Sequence, residues 1–184
     1  MEKTLRRGLG LLFVTTALSG CATAVIQGAT RVTHQVSIAS NEDAAQAGDA
    51  NAQYKVGAGH CCSIAGSSGV LNNQAATHWF CKAAAQNNAD AQYELGRIYS
   101  GDLVRGPNGP AKLASKLTEQ PKNNSLALMW LNLATANGNQ DAAKKAAELS
   151  KSMAPSEIAD AAAKQAKPQE QPCEWNAVYP DHKI

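Results

Sequence analysis

Apolar and small residues recur at helical spacing along most of the chain. The clearest lines are Ala76, Trp79, Phe80 and Ala83 in one segment and Ala91, Leu95, Ile98 and Tyr99 in another. Steps of three and four residues place such side chains on one face of a helix. The pattern predicts an all-α protein whose helices each bury one face.

Two of these helical segments occur twice. Ala52–Gly57 (AQYKVG) is echoed by Ala91–Gly96 (AQYELG), and the Trp-led segment 76–84 is echoed by 127–135. The first motif recurs 39 positions later and the second 51 positions later, which an insertion between Leu103 and Asn123 would explain. Because the two motifs alternate, the sequence predicts a two-helix unit used more than once.

Further helices follow from the same pattern and from capping residues. We expect them at 42–56, 141–153 and 155–167, with a short helix at 111–119 inside the insertion. Asparagines that can accept from free helix N–H groups indicate the starts of the Trp-led helices. The expected caps are Asn72 or Asn73 for the first, and Asn124 or Ser125 for the second.

The N-terminus resembles a bacterial lipoprotein signal. A basic head precedes a short apolar stretch, and Leu18-Ser19-Gly20-Cys21 resembles the lipobox. This resemblance implies a lipid on Cys21 and anchoring in the cell envelope, at the outer membrane facing the periplasm. The predicted organisation is a signal peptide (1–20), a lipid-anchored tether (21–42), a repeat domain (43–167, insertion 103–123) and a C-terminal tail (168–184). We expect the tail to fold back only if Cys173 or Trp175 anchors it.

Charge excludes one class of function. Removal of the signal takes away three basic residues and Glu2, so the net charge falls from +2 to zero. Binding to nucleic acid needs a basic surface, and we therefore expect no nucleic-acid partner.

Four cysteines remain after Cys21. In an oxidising compartment an even number indicates disulfides. Since Cys61 and Cys62 lie just past a first helix, we expect one of them to bond Cys81 and the other to bond Cys173. Adjacent cysteines rarely bond to each other. The alternative is a metal site formed by His60, Cys61, Cys62, His78 and Cys81.

The repeats resemble the Sel-one-like family, relatives of tetratricopeptide repeats. The residues that carry the resemblance are Ala91, Leu95, Gly96 and Tyr99, then Trp79, Lys82, Ala83 and Ala84, and the closing segment 153–159. This resemblance implies an α-solenoid of antiparallel helical hairpins, with two full repeats and a closing helical pair. His60 departs from the pattern because the family has Tyr there.

Stacked helical hairpins more often bind proteins than catalyse reactions. We therefore expect a protein-binding module with no catalytic residue and no cofactor, since no Ser-x-x-Lys, Gly-x-Ser-x-Gly or His-Glu-x-x-His motif occurs. Candidate partner contacts are Gln53, Gln92 and Arg97, and the predicted core contains Trp79, Trp130, Leu95 and Tyr99. The alternatives are a cell-wall enzyme or penicillin-binding protein of the cysteine-rich repeat type, and a metal-binding module.

Overall fold

The computed structural model describes residues 33–62, 72–103 and 121–181, and every regular element in these residues is a helix. The elements are α1 (residues 33–46), α2 (Ala50–His60), α3 (Asn73–Ala84), α4 (Ala89–Tyr99), α5 (Asn124–Ala136), α6 (Gln140–Ser150), α7 (Pro155–Gln165), a 3-10 turn (Pro168–Glu170) and α8 (Trp175–Val178). The predicted all-α class is confirmed. Within the described residues, no helix is both long and apolar enough to cross a membrane.

Helices α2 and α3 form an antiparallel hairpin. At one end, the backbone N–H of Asn72 donates to the carbonyl of His60 at 2.7 Å. At the other end, the side chain of Gln86, just past α3, donates to Gln53 Oε1 at 2.9 Å. The hairpin is therefore tied at both ends by hydrogen bonds between the two helices.

Helices α4 and α5 repeat this hairpin. The N–H of Asn123 donates to the carbonyl of Tyr99 at 2.9 Å, and Asn137 Nδ2 donates to Gln92 Oε1 at 2.8 Å. Each of these residues lies 39 or 51 positions after its counterpart in the first hairpin. The internal repeat seen in the sequence is thus also a repeat of hydrogen bonds.

A glycine on α2 and another on α4 bring the paired helices close together. A Cβ added at Gly57 would lie 2.7 Å from Phe80 Cδ1, and one at Gly96 would lie 2.6 Å from Leu131 Cγ. Each would also lie 3.2 Å from a carbonyl oxygen of the facing helix. A side chain at either position would force the helices apart, which accounts for glycine at the end of both AQY motifs.

Three equivalent turns connect α1 to α2, α3 to α4 and α5 to α6. Each turn contains one residue with positive φ, namely Gly48 (101°), Asn87 (61°) and Gly138 (97°). The next residue in each turn caps the following helix with its side chain; these caps are Asp49, Asn88 and Asn139. Glycine and asparagine tolerate the left-handed conformation best, so these turns follow from the local sequence.

Helix α1 corrects two expectations. Residues 33–42, predicted as part of the tether, are helical, and the single helix predicted at 42–56 is two helices separated by the turn at Gly48. Ile38 on α1 packs against a small cluster that contains Val56 and Trp79, and His34 Nδ1 lies 3.0 Å from the carbonyl oxygen of Gly59. Helix α1 therefore packs on α2 as part of the helical domain.

The last two long helices share one packing partner. Helix α6 packs on α5 and on the edge of α4, while α7 packs along α5. Ser125 Oγ donates to the carbonyl of Glu157 at 3.1 Å, and Asn132 Nδ2 donates to Gln165 Oε1 at 3.2 Å. The two contacts join residues that follow one another in the same order along both helices, so α7 runs parallel to α5.

The largest core cluster joins α3, α4, α5 and the tail. Leu95 and Tyr99 are completely buried, and Trp79 and Trp130 expose 9% and 5% of their surface. All four residues of the predicted core are therefore buried. The described residues do not include the predicted signal peptide (1–20), Cys21 or most of the predicted insertion with its expected helix at 111–119.

Candidate functional site

The C-terminal tail returns along α3 and becomes part of the core. The side chain of Trp175 is 2% exposed and packs in the cluster formed by α3, α4 and α5. Its backbone N–H donates to Thr77 Oγ1 at 2.9 Å, and the hydroxyl of Tyr99 donates to the carbonyl of Cys173. The two expected anchors, Cys173 and Trp175, both hold the tail.

The cysteines pair differently from the expectation. Cys81 is bonded to Cys173, with Cα atoms 5.9 Å apart, and the sulfurs of the adjacent Cys61 and Cys62 lie at bonding distance from each other. Cys81 lies eight residues beyond the first residue of α3, or about 12 Å along the axis. Because the end of α2 meets the beginning of α3, Cys61 and Cys62 are too far from Cys81 to bridge it.

The five residues of the alternative metal site are not brought together. Cys81 is bonded to the tail, and His78 Nδ1 lies 2.9 Å from Glu174 Oε1 at the surface. Among the described residues, no group of three or more His, Cys, Asp or Glu side chains is arranged to hold a metal ion. The histidine and cysteine one turn apart on α3 instead both contact the returning tail.

A cleft of about 330 Å³ lies beside the disulfide between Cys81 and Cys173, in the groove between α3 and α5. Its walls come from the end of α3, the following turn, α4, α5 and the tail: Cys81, Ala84, Ala85, Asn87, Gln92, Trp130, Leu133, Pro168, Gln169, Gln171 and Cys173. Helix α3 packs mainly on α2 and α4, and the tail closes the space towards α5. The cleft is therefore the part of this groove that the tail leaves unfilled.

The walls of the cleft carry no charged side chain among the described residues. Both ends of the Gln92 amide are already bonded: Nε2 donates to the carbonyl of Ala84 at 3.2 Å, and Oε1 accepts from Asn137. The indole N–H of Trp130 is buried and has no hydrogen-bond partner within the described residues. An apolar or neutral amide group fits this surface, whereas a charged group would lose its hydration without compensation.

The three predicted partner contacts are in the core. Gln53, Gln92 and Arg97 expose 5%, 2% and 5% of their surface. Gln53 Nε2 donates to the carbonyl of Ala45 at 3.1 Å, as Gln92 Nε2 donates to that of Ala84. The structure thus buries these side chains instead of placing them on a partner-facing surface. The two glutamines satisfy backbone carbonyls at the ends of α1 and α3, and Arg97 bonds Glu94 and the carbonyl of Asp102.

Arg97 belongs to a buried network of charges. Its guanidinium donates to Glu94 Oε2 and to the carbonyl of Asp102, both at 3.0 Å. Lys145 on α6 pairs with Asp102 Oδ2 at 2.9 Å. The network joins α4 to α6 and compensates the cost of burying Arg97.

Two tyrosines, Tyr99 on α4 and Tyr179 in the tail, are held in the neutral form where the tail meets α4. Burial raises the pKa of Tyr99 well above its usual value, and burial also raises the pKa of Tyr179. Their rings lie 6.0 Å apart, and the ring of Tyr179 meets that of Trp175 edge to face at 4.8 Å. These aromatic contacts connect the tail to α4.

Sequence reasoning did not predict the cleft, and five of its residues, Ala85, Asn87, Pro168, Gln169 and Gln171, were in no predicted motif or site. A usable signal was Pro172, just before Cys173 and Trp175, whereas Pro168 begins the 3-10 turn. Prolines favour extended backbone, and an extended segment followed by a cysteine and a tryptophan is suited to lie in a groove.

No family model, curated protein or solved structure matches the chain. The resemblance to the Sel-one-like family stays a prediction, whereas the repeated hairpins are a property of the described residues.

Proposed function

We propose that this chain is a lipid-anchored protein of the bacterial cell envelope that binds a protein partner through an α-solenoid of Sel-one-like type. In this proposal Cys21 carries the lipid, and the helical domain faces the periplasm from the outer membrane. The chain acts as an adaptor and needs neither a catalytic residue nor a cofactor. Its partners are the membrane, through the lipid, and a protein, with no nucleic acid involved.

The observation that carries this proposal is the repetition of contacts from α1 to α6. The same turn, the same cap and the same glutamine-to-carbonyl bond recur, at Gln53 and again at Gln92. Repeated hairpins laid side by side give an extended surface, and proteins built in this way commonly use that surface for binding. The repetition therefore supports a binding role.

Internal crosslinks support a rigid surface. The disulfide between Cys81 and Cys173 and the charge network around Arg97 tie helices that are distant in sequence. A rigid surface loses little conformational entropy when a partner binds, so more of the contact energy appears as affinity.

The test is photo-crosslinking in intact cells at single exposed positions. A photoreactive residue is placed at Lys55 on α2, at Lys144 on α6, at Gln169 beside the cleft, or at Ser156 on α7; all four positions are exposed. We expect one discrete crosslinked protein at some of these positions and none at the others. Absence of any crosslink at all four positions would contradict the adaptor role.

The lipid anchor is tested separately. Cys21→Ser should abolish palmitate labelling and should release the protein from the membrane fraction or leave it unprocessed. A single acyl chain binds membranes only marginally and several chains bind firmly, so the change in fractionation should be large. Unchanged labelling in the variant would refute the anchor while leaving the helical domain's binding role open.

A further inference from the structure

The tail shows what kind of ligand the groove beside α3 accepts. The backbone is extended at Gln171 (φ −85°, ψ 145°) and at Glu174 (φ −77°, ψ 149°). Between and beyond these residues, the groove hydrogen-bonds the peptide backbone itself, at the carbonyl of Cys173 and at the N–H of Trp175. One large apolar side chain, that of Trp175, is buried at the same time. The groove thus holds a short extended segment, 171–174, through its backbone, together with the buried indole of Trp175 where α8 begins.

The cleft continues this groove towards the end of α3. Its floor includes Trp130, and Ala84 and Leu133 add apolar surface from α3 and α5. Asn87 and Gln169 are exposed at the edge of the cleft and bring carboxamides that can bond peptide groups. The volume of about 330 Å³ lies at the lower end of the range for small-molecule sites.

We propose that the cleft is the recognition site of this module and binds a neutral, extended segment of a partner protein through one large apolar side chain. The proposal rests on the proposed binding function. The absence of charge along the described walls selects against acidic or basic segments, because their side chains would be desolvated without a counter-charge. The bound segment lies next to the tail and extends the peptide surface that the tail already forms.

The test uses the lipidated full-length protein in nanodiscs and a defined photoreactive probe. The probe is the leucine analogue photo-leucine, capped as its N-acetyl methylamide so that it is neutral and carries two peptide groups. Free photo-leucine, a zwitterion with the same side chain, is the charge control. Labelled peptides are identified by mass spectrometry, and we expect the capped probe to label the segments around 84–92, 130–133 and 168–173.

Ala85→Trp should block the cleft, and Ala136→Trp is the matched control. Ala136 lies 51 positions after Ala85, at the equivalent end of α5, and does not line the cleft. We expect labelling to fall roughly tenfold in Ala85→Trp, since losing the burial of one apolar side chain is worth at least that factor. Labelling in Ala136→Trp should stay unchanged.

A second variant keeps the test decisive if Ala85→Trp does not fold. Leu133→Lys introduces the residue type of the equivalent position, Lys82, and is expected to reduce labelling by the capped probe. Two results would overturn the proposal. One is equal labelling by the zwitterionic free photo-leucine. The other is labelling of the cleft by a photoreactive fatty acid but not by the capped probe. If the cleft is unlabelled while Lys55 or Lys144 crosslinks a protein in cells, the recognition site is elsewhere and the adaptor function stands.

Discussion

The bond between Cys81 and Cys173 should supply a large share of the stability of the domain. Its cysteines are separated by 92 positions, so it closes a long loop in the unfolded chain. Restricting a loop of this length stabilises the folded state by about 4.5 kcal/mol in the chain-entropy description. Replacing both cysteines with Ala should therefore lower the midpoint of thermal unfolding by roughly 10 to 15 °C for a domain of this size.

The adjacent pair Cys61 and Cys62 is a matched control. It contains no residue between its cysteines, so its bond restricts almost nothing in the unfolded chain. Replacing both cysteines with Ala removes only the contacts that their sulfur atoms make. Of the two side chains, that of Cys61 is buried. We expect a loss of about 1 kcal/mol from this control variant.

The assay is thermal unfolding of the wild-type protein and the two double variants, with and without a reductant. The reductant should lower the midpoint of the wild type and of the control, and should leave the variant that lacks Cys81 and Cys173 almost unchanged. Equal losses in the two variants would refute the loop-entropy reasoning. Unreduced peptide mapping that links Cys81 to Cys61 or Cys62 would refute the pairing itself.

Three further predictions concern packing and pH. Gly57→Ala and Gly96→Ala should each lower the free energy of unfolding by about 1 to 3 kcal/mol in a denaturant titration, because the added methyl group overlaps the facing helix. Unchanged stability would mean that the two helices can move apart without cost. Trp130→Ala should lower the free energy of unfolding by about 3 to 5 kcal/mol. Trp79→Ala should lower it by less, because Trp79 packs in a smaller cluster, and equal losses in the two variants would contradict this reasoning. Since burial raises the pKa of Tyr179 in the folded state, the unfolded chain ionises first, and stability should fall as the pH rises above about 10. The substitution Tyr179→Phe should make unfolding less sensitive to pH in that range, and parallel pH profiles would argue against the burial of this hydroxyl.

Local signals predicted the helices well because they act within a few residues. The caps are an example: Asn72 was one of the two residues expected to cap its helix, and the observed cap of α5, Asn123, precedes the expected Asn124 by one position. The first part of α1, which was assigned to the tether, was missed because the helix is mostly polar and only Ile38 and Ala45 pack inward. Its packing depends on α2, which no local pattern of α1 reveals.

The pairing of the cysteines and the roles of the glutamines required the tertiary fold. Cys81 lies beside Cys173 because the tail returns along α3, whereas loop length alone favoured the nearer cysteines. Gln53 and Gln92 were expected at the surface because they lie between the buried positions of their helices. Their identical place in both AQY motifs was the available signal, since a polar residue repeated between buried positions often satisfies a buried backbone group.

The position of the tail follows from how the helices of the two hairpins pack. Helix α7 packs directly along α5, whereas α3 contacts mainly α2, α4 and the tail. The apolar face of α3 that α5 leaves uncovered must still be removed from water, and Trp175 covers it. Trp175 and Glu174 contact the first half of α3, at Thr77 and His78, whereas the end of that helix, beyond Cys81, lies beside an open cleft. The segment 168–173, fixed by the disulfide at Cys173, lines this cleft without filling it, and so leaves an apolar site at the edge of the repeat.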